Sequence, residues 1–100
     1  MANIKKLLEG YQRFYKKYFV SDDSLYRTLS RSGQSPKTLI ISCSDSRVDP
    51  SIISDADPGD IFVIRNVANL IPPYEPSDHG IHGVSAALEF AVRILKVENI

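Results

Sequence analysis

The chain has 100 residues, and its 12 lysines and arginines balance its 12 aspartates and glutamates, which leaves no formal net charge. This balance gives no reason to expect a nucleic-acid or anionic-membrane partner, and no apolar run is long enough to cross a bilayer. A single cysteine excludes an internal disulfide and is typical of a reducing compartment. We therefore expect a cytoplasmic chain that forms a single domain over residues 1–100.

The N-terminal segment is predicted to form an amphipathic helix. Apolar and aromatic side chains recur there at intervals of three and four residues, at Ile4, Leu7, Leu8, Tyr11, Phe14, Tyr15 and Tyr18. The basic side chains fall mostly off this stripe and indicate a solvated face, with a membrane-surface helix as the less favoured alternative. Because the stripe is large for so small a domain, we expect part of it to cover a partner subunit.

A second, shorter helix and a buried strand are predicted next. The helix spans residues 25–30 and ends at the turn signal Ser32-Gly33; its possible N-cap residues are Ser21, Asp22 and Asp23. Residues 38–42 are short, β-branched and apolar on both faces, which is the pattern of a strand in a parallel sheet.

The second half of the chain repeats this alternation. Residues 61–64 have the same buried-strand pattern, and residues 84–95 have helical spacing. Residues 97–100 look like the approach to a third strand, at which point the sequence reads as truncated. The order predicts an α/β fold with a mostly parallel β-sheet flanked by helices and an extended N-terminal amphipathic helix.

A polar motif follows the first predicted strand, with Cys43, Asp45 and Arg47 at alternate positions. Ligands of α/β proteins bind beyond the carboxyl ends of the strands. Residues two apart in an extended segment project to the same side, so these three side chains could share one small site. Arg47 would keep Asp45 ionised and fix its orientation by a forked pair of hydrogen bonds.

These residues alone leave several interpretations of Cys43 open. It could be a buried, unreactive cysteine beside an Asp-Arg pair that fastens a loop. A phosphatase-type nucleophile is disfavoured, because Cys43 and Arg47 are close in sequence for a loop that must enclose an oxyanion. Cys43 could also be a zinc ligand, although one thiolate and one carboxylate supply only half of a tetrahedral site.

Three stretches in order resemble the β-class carbonic anhydrases: CSDSR at residues 43–47, GDIFVIRNVAN at 59–69 and GVSAALEFAV at 83–92. The resemblance runs from about residue 21 to residue 100. It implies a zinc enzyme, with Zn²⁺ as cofactor, that interconverts carbon dioxide and bicarbonate by means of a zinc-bound hydroxide.

The resemblance also assigns roles within the motif. Cys43 corresponds to the family's first zinc-binding cysteine. Asp45 corresponds to an aspartate that accepts a hydrogen bond from the hydroxide or, in a closed form, coordinates zinc itself. Arg47 corresponds to the arginine that draws this aspartate off the metal. The remaining histidine and cysteine ligands are expected beyond Ile100, so the 100-residue chain alone is expected to be inactive.

Four further residues correspond to substrate-binding positions. Gln34 corresponds to a glutamine whose amide can hydrogen-bond a substrate oxygen, and Phe62 and Val67 correspond to apolar wall positions. Phe90 occupies a position where plant-type members carry a tyrosine, which removes one hydroxyl. His79 and His82 fall outside the family's ligand positions, and we expect loop packing or solvent exposure for both.

The family resemblance gives the aromatic stripe a role. It implies that residues 1–20 form a dimerisation helix, that residues 21–100 begin the α/β core, and that the protein is a homodimer or higher homo-oligomer. Two alternatives are kept: a non-catalytic scaffold that serves dimerisation, and a hydrolase of carbon disulfide or carbonyl sulfide on the same scaffold.

Overall fold

The computed structural model describes residues 3–20, 24–74 and 82–100. Contacts divide the chain into two compact units, one reaching to Gln34 and the other running from Ser35 to Ile100. Within the described ranges, no helix has both the length and the apolar character needed to cross a membrane.

The first unit consists of two capped helices. Helix α1, Ile4–Tyr18, begins where the Asn3 side chain accepts the Lys6 N–H at 3.0 Å. Helix α2, Leu25–Ser32, begins at Ser24 and ends at Gly33, whose φ of 76° favours glycine. Helix α2 is two residues longer than predicted, and the proposed cap residues 21–23 lie outside the described residues.

Some side chains of the aromatic stripe of α1 pack against α2, and the others are exposed to solvent. The Tyr26 ring of α2 lies 5.0 to 5.2 Å, centroid to centroid, from the rings of Phe14, Tyr18 and Phe19. The remaining large side chains of the stripe are 47 to 72% exposed: Ile4, Leu7, Leu8, Tyr11 and Tyr15. Only part of the stripe is therefore used to pack α1 against α2.

The second unit is built on a parallel strand pair, which confirms the predicted α/β class. Strands β1, Thr38–Cys43, and β2, Ile61–Asn66, pair in a register that sets Leu39 opposite Phe62 and Cys43 opposite Asn66. Asn99 forms a parallel bridge with Thr38, where the approach to a third strand was predicted.

Helices complete this unit. Short helix α3, Pro50–Ile53, is capped by Asp49, and helix α4, Gly83–Glu89, continues into a π-helical segment, Phe90–Leu95. Leu39, Ile64 and Ala91 form the buried core, around which pack Ile41, Phe62, Val84, Ala87, Leu88 and Val97. Because side chains alternate along a strand, Cys43 continues the core-facing row of Leu39 and Ile41 at the carboxyl end of β1.

Candidate functional site

The candidate site lies at the carboxyl ends of β1 and β2. Cys43 and Asn66 are the last residues of their strands and face each other in the register. The Ser44 N–H donates to the Asn66 carbonyl at 2.8 Å and extends the pairing by one residue. The parallel register therefore places the residues that follow Cys43 beside those that follow Asn66.

The thiol of Cys43 is half-buried and accepts a hydrogen bond. The Ala68 N–H donates to Cys43 Sγ at 3.4 Å. This bond, together with the backbone N–H groups of Asp45 and Ser44, lowers the pKa of the Cys43 thiol against the opposing effects of partial burial and the Asp45 charge. A lowered pKa favours the thiolate, which is the metal-binding form of cysteine. Partial exposure and this bond do not fit the buried, unreactive cysteine.

Asp45 and Arg47 form the forked pair that the sequence suggested. Arg47 Nε lies 3.0 Å from Asp45 Oδ1, and Arg47 Nη2 lies 2.6 Å from Asp45 Oδ2. The side-chain hydrogen bonds from Arg47, and then its backbone N–H, lower the pKa of Asp45, while Asp45 raises the pKa of Arg47. The carboxylate is therefore ionised at neutral pH and held in one orientation.

The backbone reaches this arrangement by a different route from the expected one. Residues 46–47 form a turn rather than an extended segment, and the Val48 N–H donates to the Asp45 carbonyl at 3.2 Å. The Arg47 N–H also donates to Asp45 Oδ1, at 2.8 Å. Alternation along an extended chain was thus the wrong reason for the contact, which an aspartate turn produces instead.

Arg65 is a site residue whose role the sequence pattern did not predict. From β2, its Nε donates to the Cys43 carbonyl at 3.0 Å and its Nη2 to the Asp45 carbonyl at 2.8 Å. Its Nη1 lies 3.4 Å from Asp49 Oδ2, and the Arg65 side chain is 26% exposed. One guanidinium therefore holds the end of β1 at Cys43 and the loop that carries Asp45. A charged residue directly after the predicted apolar strand, residues 61–64, was the available signal.

The structure brings together only some of the predicted substrate-binding residues. The Phe62 and Phe90 rings are 5.8 Å apart. Phe62 lies four register positions from Cys43, roughly 13 Å along the strand. Val67 follows β2 directly and is 80% exposed. Gln34 belongs to the first unit.

The two histidines are placed differently. His82 lies at the N-cap position of α4. His79 lies outside the described residues.

The donor set fits zinc in part. The Cys43 thiolate is a ligand type that zinc prefers, and Asp45 supplies a carboxylate whose two oxygens both accept hydrogen bonds from Arg47. Within residues 3–20, 24–74 and 82–100, no group of three or more histidine, cysteine, aspartate or glutamate side chains could hold a metal ion. These residues fit one thiolate ligand of a zinc site, and a tetrahedral shell requires further donors.

Comparison with known proteins gives consistent matches. Residues 38–100 match a family model described as carbonic anhydrase. A curated carbonic anhydrase of Synechocystis sp. is 45% identical over 97 residues, which are 97% of this chain and 34% of that protein. The chain therefore spans about a third of the length of this relative.

Two solved structures extend the comparison to the fold. The β-carbonic anhydrase CcaA matches with a TM-score of 0.79 and 46% identity over 94% of this chain and 40% of that one. One of the structures described as two tetrameric β-carbonic anhydrases from Sordaria macrospora matches with a TM-score of 0.62 and 34% identity, over 93% of this chain and 41% of that one.

Proposed function

This chain belongs to the β-class carbonic anhydrase family, and on that premise we propose that its protein catalyses the zinc-dependent, reversible hydration of carbon dioxide to bicarbonate. The observation that carries the proposal is the pairing of a hydrogen-bonded thiol, Cys43, with a carboxylate held ionised by Arg47. Both lie at the carboxyl ends of parallel strands, within the segment that matches the family.

Cys43 would supply one thiolate to the metal. Zinc, when bound, makes a coordinated water acidic enough to lose a proton near neutral pH. The Ala68 N–H limits the electron density on the Cys43 sulfur, since a hydrogen bond to a ligand tunes what the ligand donates. By resemblance to the family, a further histidine and cysteine would complete the ligand set from a segment beyond Ile100.

Asp45 would select and orient the group that attacks carbon dioxide. An ionised carboxylate accepts hydrogen bonds and donates none. It therefore favours an attacking group that carries a proton, such as a hydroxyl, and accepts a hydrogen bond from that proton. The lone pair of the attacking group would then point away from the carboxylate, toward the substrate carbon. Arg47 preserves this role because its guanidinium donates a hydrogen bond to each Asp45 oxygen and so fixes the orientation of the carboxylate.

The substrate is apolar, so the proposed pocket needs carbon-lined walls and few donors. Phe62, Val67 and Phe90 are the proposed wall residues, and Gln34 is the proposed amide donor. The contact between the Phe62 and Phe90 rings supports a shared apolar surface for these two residues. Gln34 and Phe90 would serve the pockets of different subunits.

We further propose a homo-oligomer in which residues 1–20 pack against a second subunit. The large exposed side chains of α1 support this, since isolated soluble domains rarely leave a continuous aromatic and aliphatic stripe open to water. The Sordaria macrospora relatives are described as tetrameric.

The test is Cys43→Ser in the protein at the full length that its gene encodes. We expect zinc and carbon dioxide hydration to be lost together, because serine stays protonated and does not replace a thiolate donor. Metal analysis and stopped-flow hydration assays are the measurements, with Ser46→Ala in the adjacent exposed turn as the control.

The possible outcomes separate the alternatives. Stoichiometric zinc in Cys43→Ser would show that Cys43 is not a ligand. A zinc-free, inactive wild type would favour the non-catalytic scaffold. Zinc-dependent turnover of carbonyl sulfide or carbon disulfide without hydration of carbon dioxide would favour the hydrolase.

A further inference from the structure

A left-handed turn follows β2 and reaches across to Cys43. Val67–Asn69 form a short 3₁₀ turn in which Ala68 has a φ of 70° and Asn69 a φ of 47°. Residues other than glycine seldom adopt positive φ, and alanine has no side-chain polar group with which to stabilise it locally. Contacts from outside the turn must therefore hold this conformation.

The Asn66 side chain provides such contacts. Asn66 Nδ2 donates to the Leu70 carbonyl at 2.8 Å, and the Leu70 N–H donates to Asn66 Oδ1 at 2.6 Å. One side-chain amide thus satisfies both backbone groups of Leu70 and closes a ring around the three turn residues. We call this pair of hydrogen bonds the Asn66–Leu70 bridge.

The backbone of Asn66 is fixed to the opposite strand. Asn66 is the register partner of Cys43, and its carbonyl accepts the Ser44 N–H at 2.8 Å. The bridge therefore anchors the turn to the same point of the sheet that carries the cysteine. From this anchor, the Ala68 N–H comes within 3.4 Å of Cys43 Sγ.

We propose that Asn66 is a positioning residue whose bridge to Leu70 holds Ala68 in the left-handed conformation, so that the Ala68 N–H is directed at the Cys43 sulfur. The inference rests on the proposed function in one respect, which is that the Cys43 sulfur is a metal ligand. An N–H directed at a thiolate fixes the direction of its lone pairs and lowers their energy, as outer hydrogen bonds do for metal ligands generally.

The first measurement is amide hydrogen exchange by NMR in the metal-free protein at its full encoded length. In Asn66→Ala we expect the amides of Ala68 and Leu70 to exchange about tenfold faster, as expected for the loss of hydrogen bonds of ordinary strength. The other amides of β1 and β2 should keep their wild-type rates. The control is Leu70→Ala, which leaves both backbone hydrogen bonds of the bridge in place and should leave the exchange at Ala68 unchanged.

A rescue variant separates positioning from general stabilisation. Adding Ala68→Gly to Asn66→Ala should restore much of the protection at position 68, because glycine adopts positive φ without the steric penalty of a Cβ atom. If Asn66→Ala does not fold, Asn66→Asp replaces it. Aspartate retains an acceptor for the Leu70 N–H and loses the donor to the Leu70 carbonyl, so faster exchange at Ala68 is again expected.

The second measurement is the absorption of the cobalt-loaded protein. Loss of the N–H···S bond raises the energy of the sulfur lone pairs, so the sulfur-to-cobalt charge-transfer band should move to longer wavelength in Asn66→Ala and stay in place in Leu70→Ala. Unchanged exchange at Ala68 in the Asn66 variants, or equal changes in Leu70→Ala, would overturn the inference. A wild type without a sulfur–cobalt band would refute the metal role of Cys43, while the exchange data would still decide whether Asn66 holds the turn.

Discussion

Replacing Arg65 by alanine should destabilise the protein by about 2–4 kcal/mol. Its guanidinium makes two hydrogen bonds to backbone carbonyls, at 3.0 Å to Cys43 and 2.8 Å to Asp45. Hydrogen bonds to a charged group contribute about 1.5–3 kcal/mol each when shielded from solvent. The third contact, at 3.4 Å to Asp49, is partly exposed on both sides and adds at most about 1 kcal/mol. Water that replaces the lost donors recovers part of the total, which gives the range stated.

Arg93→Ala is the matched control. Arg93 pairs with Glu89 at 3.6 Å on one helical face, and their side chains are 67% and 64% exposed. An exposed pair of this spacing is worth about 0.3–0.5 kcal/mol. Arg65→Lys should recover only part of the loss, because a single ammonium cannot take the places of both Nε and Nη2.

Urea denaturation of the metal-free protein, followed by far-UV circular dichroism, measures these differences. If Arg65→Ala lowered the free energy of unfolding no more than Arg93→Ala does, the end of β1 at Cys43 and the loop that carries Asp45 would not depend on Arg65. If Arg65→Lys matched the wild type, charge alone, and not the directed contacts, would account for the stabilisation.

Two further predictions concern the carboxylate and the exposed helix. Arg47→Ala should raise the pKa of Asp45, because Arg47 is the main cause of its depression. The depressed pKa stabilises the folded protein at pH values above the unfolded-state pKa, and this stabilisation is lost as pH falls through the folded-state pKa, so the variant should have less of it. Carbon-13 NMR titration of the Asp45 carboxyl measures the shift, and an unchanged pKa would contradict the prediction. Leu8→Glu on α1 should lower the mass measured by analytical ultracentrifugation, whereas Ile94→Glu, at another exposed apolar position, should not; equal masses for the two variants would argue against α1 as the subunit contact.

The strands were predictable because burial dictates their composition, but their ends were not. Prediction ended the second strand at Ile64, yet β2 continues through Arg65 and Asn66. Backbone pairing with Ser42 and Cys43 keeps these two residues extended, while their side chains serve neighbouring loops. Hydrophobic periodicity shows which residues of a helix or strand face the core, and it gives no information about such polar contacts.

Two backbone features had no sequence signal. The left-handed conformation of Ala68 falls on a residue that does not favour it, and among the described residues it coincides with hydrogen bonds to Asn66 and Cys43. The change from α4 to the wider π-helical turn at Phe90 is also hidden, since one run of apolar residues satisfies both geometries over so short a length. The Asp45–Arg47 pair, by contrast, was predictable from residue type and sequence proximity alone.

Strand β1 pairs with β2 and with Asn99, and the two pairings close chain loops of different length. Thr38 pairs with Ile61, 23 residues along the chain, and also with Asn99, 61 residues along. Loop-closure entropy makes the longer connection about 0.9 kcal/mol more expensive than the shorter one. Chain entropy therefore favours the assembly of β1 with β2 ahead of the pairing at Asn99. The strand ends that carry Cys43 and Asn66 belong to the contact that is entropically easier to form, so the cysteine and its hydrogen-bonding turn can come together early in folding.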